Sequence, residues 1–334
     1  MKNKRRFFSL LAALLLLASF CLSCGQKSPQ SGDIVLTDQI GRTVTLTAPA
    51  KRVVSGYYVT TYAMLALGQK ALLCGVEAKA DTRPIYQKCA QELLSLPAVG
   101  TMKSCDTELI LSLSPDLVLL PAKLSDCAPV FDSVGVPVLF VSPESQEELE
   151  EMLSLIGRAC GAEQRADALC TYYHEKEREL RENAPADPVS VCLCGNSSFL
   201  TAAPDGMYQG SLIALAGGVN AAGALDGNYW TEISYESFLA MDPDAVILPV
   251  GASYTAEEFS ADTQLSALSC VKNGRVYAMP GGYEEWDSPV PSGILGALWM
   301  RSVLYPELYP ISDFEKEMTA FYETFYGFTP DTAE

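Results

Sequence analysis

Eight aromatic residues stand where a binding surface would need them. Tyr57, Tyr58, Tyr86, Tyr208, Tyr229, Trp230, Tyr283 and Trp286 all lie in segments that follow short apolar runs. Such rings offer wide apolar area at little entropy cost, the chemistry of stacking on a bulky planar ligand. In "WDSPVPSG", Pro289 and Pro291 stiffen the backbone and Ser292 is placed to cap the helix "GILGALWM". Trp286 is thereby expected on a rigid lip, as the foremost stacking residue. Acid-base and metal catalysis are poorly provided for. The chain has one histidine, His174, and lacks G-x-S-x-G and H-E-x-x-H, so neither a serine triad nor a three-histidine metal site can be assembled. His174 itself sits beside the apolar stripe of a mid-chain helix and reads as a surface or packing residue.

The elements that would position these residues alternate in type. Buried-strand runs "RVVSG", "ALLCGV", "DLVLLP" and "VPVLFV" precede residue 145, and "VSVCLC", "AVILPV" and "GRVYAMP" follow residue 185, each succeeded by turn residues and helical periodicity. This pattern predicts an α/β protein of two Rossmann-like lobes with parallel sheets, residues 34–144 and 186–334. Ligands of such sheets bind beyond the carboxyl ends of the strands, where the aromatic loops lie. The segment 145–185 places Leu149, Met152, Leu153 and Ile156 on one face, breaks at Gly161, and resumes with Ala166, Leu169, Cys170 and Tyr173. It predicts one long interlobe α-helix. One unit is written twice: "ELILSLSPDLVLLP" from Glu108 returns 128 positions later as "ESFLAMDPDAVILP" from Glu236.

The N-terminus is of another kind. "MKNKRR" is basic, "FFSLLAALLLLASF" is apolar over a signal-like length, and Ser23 precedes Cys24. Residues 1–23 read as an export signal and 24–33 as a polar tether. Removing residues 1–23 takes away Lys2, Lys4, Arg5 and Arg6 and no acid, so the formal charge goes from −18 to −22. So acidic a body excludes nucleic acid as a partner. Eleven cysteines less Cys21 and Cys24 leave nine, with no C-x-x-C and no Cys/His cluster, which points to packing thiols rather than zinc.

Taken in order, the lipoprotein-like start, "DQIGRTVTLTAPAKRVVS", the two "E…PD.V.LP" units, the mid-chain helix, "LIALAGGVN", "LSALSCVKNGRVYAMPGG" and "WMRSVLYPELY" resemble one family. It is the substrate-binding lipoproteins of ABC importers for iron–siderophore, haem and cobalamin. The resemblance covers about residues 33–327. It implies lipidation at Cys24, anchoring to the membrane from outside the cytoplasm, and delivery of a metal chelate to a permease dimer with its ATPase. It implies no catalysis and no cofactor. It also gives Glu108 and Glu236 a role, one acid per lobe pairing with permease arginines, which a helix N-terminus would keep ionised. The ligand-binding set it suggests is the eight aromatics with Arg83 and Lys103. Because the second-lobe loops have no Lys or Arg between Glu182 and Lys272, a tricatecholate anion is disfavoured against a hydroxamate siderophore or corrinoid. Haem stays open, with Tyr57, Tyr58, Met102, Met207 and Tyr208 as axial candidates. A secreted α/β enzyme or a surface adhesin or sensor of the same fold are the alternatives.

Overall fold

The structure is a computed structural model that describes residues 32–227 and 229–331; the signal segment, Cys24 and the tether before Gly32 lie outside the described residues. The chain opens with an antiparallel hairpin, β1 (Ile34–Thr37) and β2 (Thr43–Leu46). The Asp38 carboxylate closes its turn by accepting from Arg42 N at 2.7 Å and reaches the first sheet through Phe140 N at 3.3 Å. Next come β3 (Val53–Ser55), β4 (Leu73–Gly75), a small hairpin of β5 (Gly100–Thr101) and β6 (Ser104–Cys105), then β7 (Leu117–Pro121) and β8 (Val138–Val141). The second half carries β9 (Ser190–Leu193), β10 (Thr201–Ala202), β11 (Val219–Asn220), β12 (Thr231–Glu232), β13 (Ala245–Leu248) and β14 (Val276–Ala278).

Two parallel four-stranded sheets result, ordered β4-β3-β7-β8 and β11-β9-β13-β14. Counting each lobe's sheet strands in sequence order, both read second, first, third, fourth. The lobes are therefore topological copies. β7 and β13 are buried along their whole length, which is why a strand covered by helices on both faces spells an unbroken apolar run.

The repeated unit shows its physics in the turn before these strands. Helix Thr107–Ser112 is followed by Ser114 with φ 51°, and helix Tyr235–Met241 by Asp242 with φ 38°, both left-handed and both immediately before a proline. Proline disfavours the helical conformation in the residue before it, so each helix ends there. The aspartate after each proline then ties down the lobe's first strand. Asp116 accepts from Lys51 N and Arg52 N at 2.9 Å, and Asp244 from Ser190 N at 3.0 Å. Pro-Asp is thus a structural device in both lobes.

Between the lobes, helix Gln146–Cys160 is capped by Ser145 and stopped at Gly161, whose φ of 70° suits glycine. Helix Glu163–Glu182 follows, 20 residues and so about 30 Å long. Its buried face carries Ala166, Leu169, Tyr173 and Leu180, and Tyr173 Oη donates to Pro291 O at 2.6 Å in the second lobe. The buried Arg301 closes its C-terminus by donating to Leu180 O at 2.8 Å and Asn183 O at 2.7 Å. Helix Ile311–Phe325 lies against it through Tyr172 and Lys176, both bonded to Glu317. One apolar core runs from Leu36 through this helix to Phe325. The nine cysteines of the body are all free thiols, with Cys192, Cys194 and Cys270 packed together in the second lobe. His174 is exposed and pairs with Glu150 at 2.7 Å. No helix among the described residues is long and apolar enough to cross a membrane.

Candidate functional site

The facing strand ends enclose a cleft of about 770 Å³, within the range of small-molecule sites. From the first lobe, Tyr57 and Tyr58 follow β3, Ala122 and Lys123 follow β7, Ser142 and Glu144 follow β8, and Met102 comes from the β5–β6 turn. Ser145 and Glu148 enter at the start of the connecting helices. The second lobe contributes Met207, Tyr208 and Gln209 after β10, Tyr229 and Trp230 before β12, and Pro289 after β14.

The chemistry of the walls is aromatic and hydroxylic. Tyr57 and Tyr58 meet edge to face at 5.2 Å. Burial, then Tyr58 and Glu144, push the Tyr57 phenol well above its ordinary range; burial and Glu285 do the same for Tyr58 against the opposing pull of Arg83. Tyr208 is raised too, by burial first and then by Glu177 and Asp287. All three therefore stay protonated, and the Tyr208 hydroxyl is buried beside Gly293 with no hydrogen-bond partner among the described residues. Tyr229 is open to solvent at the mouth and Trp230 is half-buried. Among lining residues Lys123 is the cation, against the carboxylates Glu144 and Glu148. Glu148 is partly committed, since it accepts from Glu144 N at 3.0 Å.

Five of the eight aromatics expected from the sequence thus share the cleft: Tyr57, Tyr58, Tyr208, Tyr229 and Trp230. The others are placed elsewhere. Trp286 is buried, stacks edge-on against Phe314, and donates through Nε1 to Tyr322 Oη at 3.0 Å. It fills the core against helix Ile294–Leu304, where Gly296 passes too close to the Trp286 carbonyl for any side chain. Ser292 does not cap that helix; its first residue follows Gly293, and the buried Ser292 hydroxyl sits beside the Glu284 carboxyl. Tyr86 is fully buried and donates to Glu77 Oε1 at 2.7 Å. Tyr283 packs on Tyr322 and Phe328 and bonds Asp331 at 2.8 Å. Lys103 is exposed on the β5–β6 turn beside Met102, and Arg83 is held by Glu285. The segment Ser142–Glu148 and Gln209 were not singled out in the sequence, although Ser142 directly follows a strand end and the strand-end rule reaches it.

Glu108 and Glu236 lie away from the cleft lining, both exposed, each in the first turn of its helix. Asp106 caps the first helix at Leu109 N and Ser234 the second at Ser237 N.

Two like α/β lobes, a long helix between them and a ligand-sized cleft at the facing strand ends define an extracytoplasmic solute-binding protein of the ABC-importer kind. The chain belongs to the periplasmic binding protein family, whose model matches residues 53–283. Among curated proteins it is similar to the molybdate-binding protein MolA of Haemophilus influenzae, 24% identical, covering 94% of this chain and 97% of that protein. It is also similar to the uncharacterized ABC transporter substrate-binding lipoprotein YvrC of Bacillus subtilis, 26% identical over 80% of this chain and 87% of the relative. Among solved structures, a periplasmic solute-binding protein from Veillonella parvula superposes with a TM-score of 0.77 at 22% identity, covering 89% of this chain and 94% of that one. This last likeness speaks for the fold.

Proposed function

We propose that the protein captures a neutral or weakly charged metal chelate in the interlobe cleft and hands it to an ABC permease dimer driven by its ATPase. A hydroxamate-type iron siderophore is the first candidate, a corrinoid or haem the next. On this reading Cys24 carries the lipid that holds the protein at the outer face of the membrane, and the protein performs no reaction on its cargo. The observation that carries the proposal is the cleft itself: about 770 Å³ walled by five aromatic side chains, with Lys123 set against Glu144 and Glu148. Aromatic faces supply contact area for a large chelate, and phenols that stay protonated donate to its oxygens. Molybdate, the ligand in the name of the Haemophilus relative, is a compact dianion that would call for gathered donors and cations rather than two carboxylates.

Tryptophan emission tests this directly. Of the three tryptophans, Trp286 and Trp299 are buried and Trp230 lines the cleft. Residues 24–334 titrated with a ferric hydroxamate, cyanocobalamin, haemin, a ferric tricatecholate and molybdate should show saturable quenching by one of the first three. In Trp230→Leu that quenching should largely disappear while the emission of the buried pair remains. Binding of molybdate alone, or quenching untouched by Trp230→Leu, would remove the chelate reading.

A further inference from the structure

We infer that the Arg83–Glu285 ion pair is a cross-lobe clamp that fixes the separation of the lobes and sets Tyr58 against the ligand, with Arg83 a positioning residue rather than a ligand contact. Arg83 belongs to the first lobe and Glu285 to the loop after β14 in the second. Arg83 Nη1 donates to Glu285 Oε1 at 2.6 Å, and Tyr62 Oη donates to Glu285 Oε2 at 3.2 Å, so both carboxylate oxygens are held from the opposite lobe. Both partners of the pair are largely shielded from water, with 22% and 30% of their side chains exposed, where an ion pair is screened less than on an open surface.

What makes the pair more than a tie is its place behind both walls. On the first-lobe side the Arg83 guanidinium covers the Tyr58 ring at 4.3 Å from its centre, and Tyr58 lines the cleft. On the second-lobe side the same loop supplies Pro289 to the cleft, and Asp287 O, two residues beyond Glu285, accepts from Gln209 Nε2 at 2.8 Å. Breaking the pair would release Tyr58 on one wall and Gln209 and Pro289 on the other. A planar guanidinium stacked on a ring and bonded at one end has no equivalent in lysine.

The influence on ligand affinity rests on the reading under Proposed function; the influence on the lobes does not. Hydrogen exchange of the ligand-free protein reads the second. In Glu285→Gln, amides of 79–86 and 279–293 should exchange about tenfold faster while β7 in the first-lobe core keeps its protection. Affinity for whichever of haemin, cyanocobalamin or ferric hydroxamate quenches Trp230 should fall about tenfold, mainly through faster dissociation. The exchanged pair Arg83→Glu/Glu285→Arg should recover most of the lost protection, which a mere packing defect would not, while the affinity stays lowered because no guanidinium at position 83 then covers Tyr58. Unchanged exchange in 79–86 in Glu285→Gln, or no recovery of protection in the exchanged pair, would overturn the clamp. Should no chelate bind even the parent protein, the cargo reading fails while the exchange data still decide the clamp.

Discussion

Replacing Glu108 and Glu236 together by alanine is expected to abolish uptake and leave the ligand affinity of the purified protein unchanged. The two acids occupy equivalent positions, 128 residues apart, in lobes whose sheets have the same strand order. Each stands exposed in the first turn of a helix whose start is already capped by another side chain, Asp106 in one case and Ser234 in the other. The Glu236 carboxyl is held below its usual range by its own backbone N–H and by Ser234, and helix N-termini favour the ionised form in general. Neither side chain caps its helix, yet both project a carboxyl fork outward. Loss of one desolvated carboxylate–arginine pair costs about 2 kcal/mol or more, so loss of both weakens docking by roughly a thousandfold or more. Transport of labelled chelate into cells carrying the importer, set beside equilibrium binding to the purified variant, separates the two effects. A control variant at the exposed Glu307, outside the repeat, should transport normally. If the double variant loses affinity, or transports as well as the parent, the docking role is wrong.

How much of this was legible before the structure follows from what each signal encodes. The strands "LVLLP" and "AVILP" announce themselves because burial on both faces leaves no polar position. β11, two residues of which Val219 is exposed, carries no such pattern and can be found only through its partner β9. Trp230 was legible as an aromatic in a loop of turn residues. Trp286 misled for a physical reason: it stands among Glu284, Glu285 and Asp287, residue types that are mostly exposed, yet Glu284 and Asp287 are buried and Glu285 is taken by Arg83. A sequence shows an acid without showing its proton or its partner. The same blindness made Arg83 look like a free cation for a ligand. The run "SPESQEE" is a polar helix start that also brings Glu144 and Glu148 to the cleft, and no apolar or aromatic pattern marks that role.

Those buried acids make the second large prediction. Stability should fall as pH rises from about 4 to about 7 and level off above, and most of that fall should vanish in Glu284→Gln/Asp287→Asn. Both carboxyls are pushed up to about 7, by burial first. For Glu284, the neighbouring Ser292 and the bond from Tyr326 pull the other way, and for Asp287 backbone N–H groups do so, while Glu285 adds repulsion to both. One oxygen of each, Glu284 Oε2 and Asp287 Oδ1, has no hydrogen-bond partner among the described residues. In the unfolded chain these groups lose their protons near the ordinary 4.5 and 3.8. Between those values and about 7 the native state holds protons that the unfolded state has released, so unfolding free energy declines with pH across that window. Above it both groups are ionised in either state, the decline stops, and the full penalty is in force, roughly 3 kcal/mol for Glu284 and about 4 kcal/mol for Asp287. The amides keep the shape and remove the charge, so the double variant should gain stability over the parent at pH 8 and little at pH 4. Urea unfolding of both proteins across pH 4 to 8 measures the difference directly, and subtraction cancels the general self-repulsion of so acidic a body. Parallel profiles would mean the two carboxyls titrate normally and that the loop carrying Glu285 and Pro289 is wetter than its packing shows. Diverging profiles would mean that near neutral pH the cleft's second wall stands on a loop already carrying charge it is poorly built to hold, of which only Glu285 is met by the Arg83 guanidinium from the other lobe.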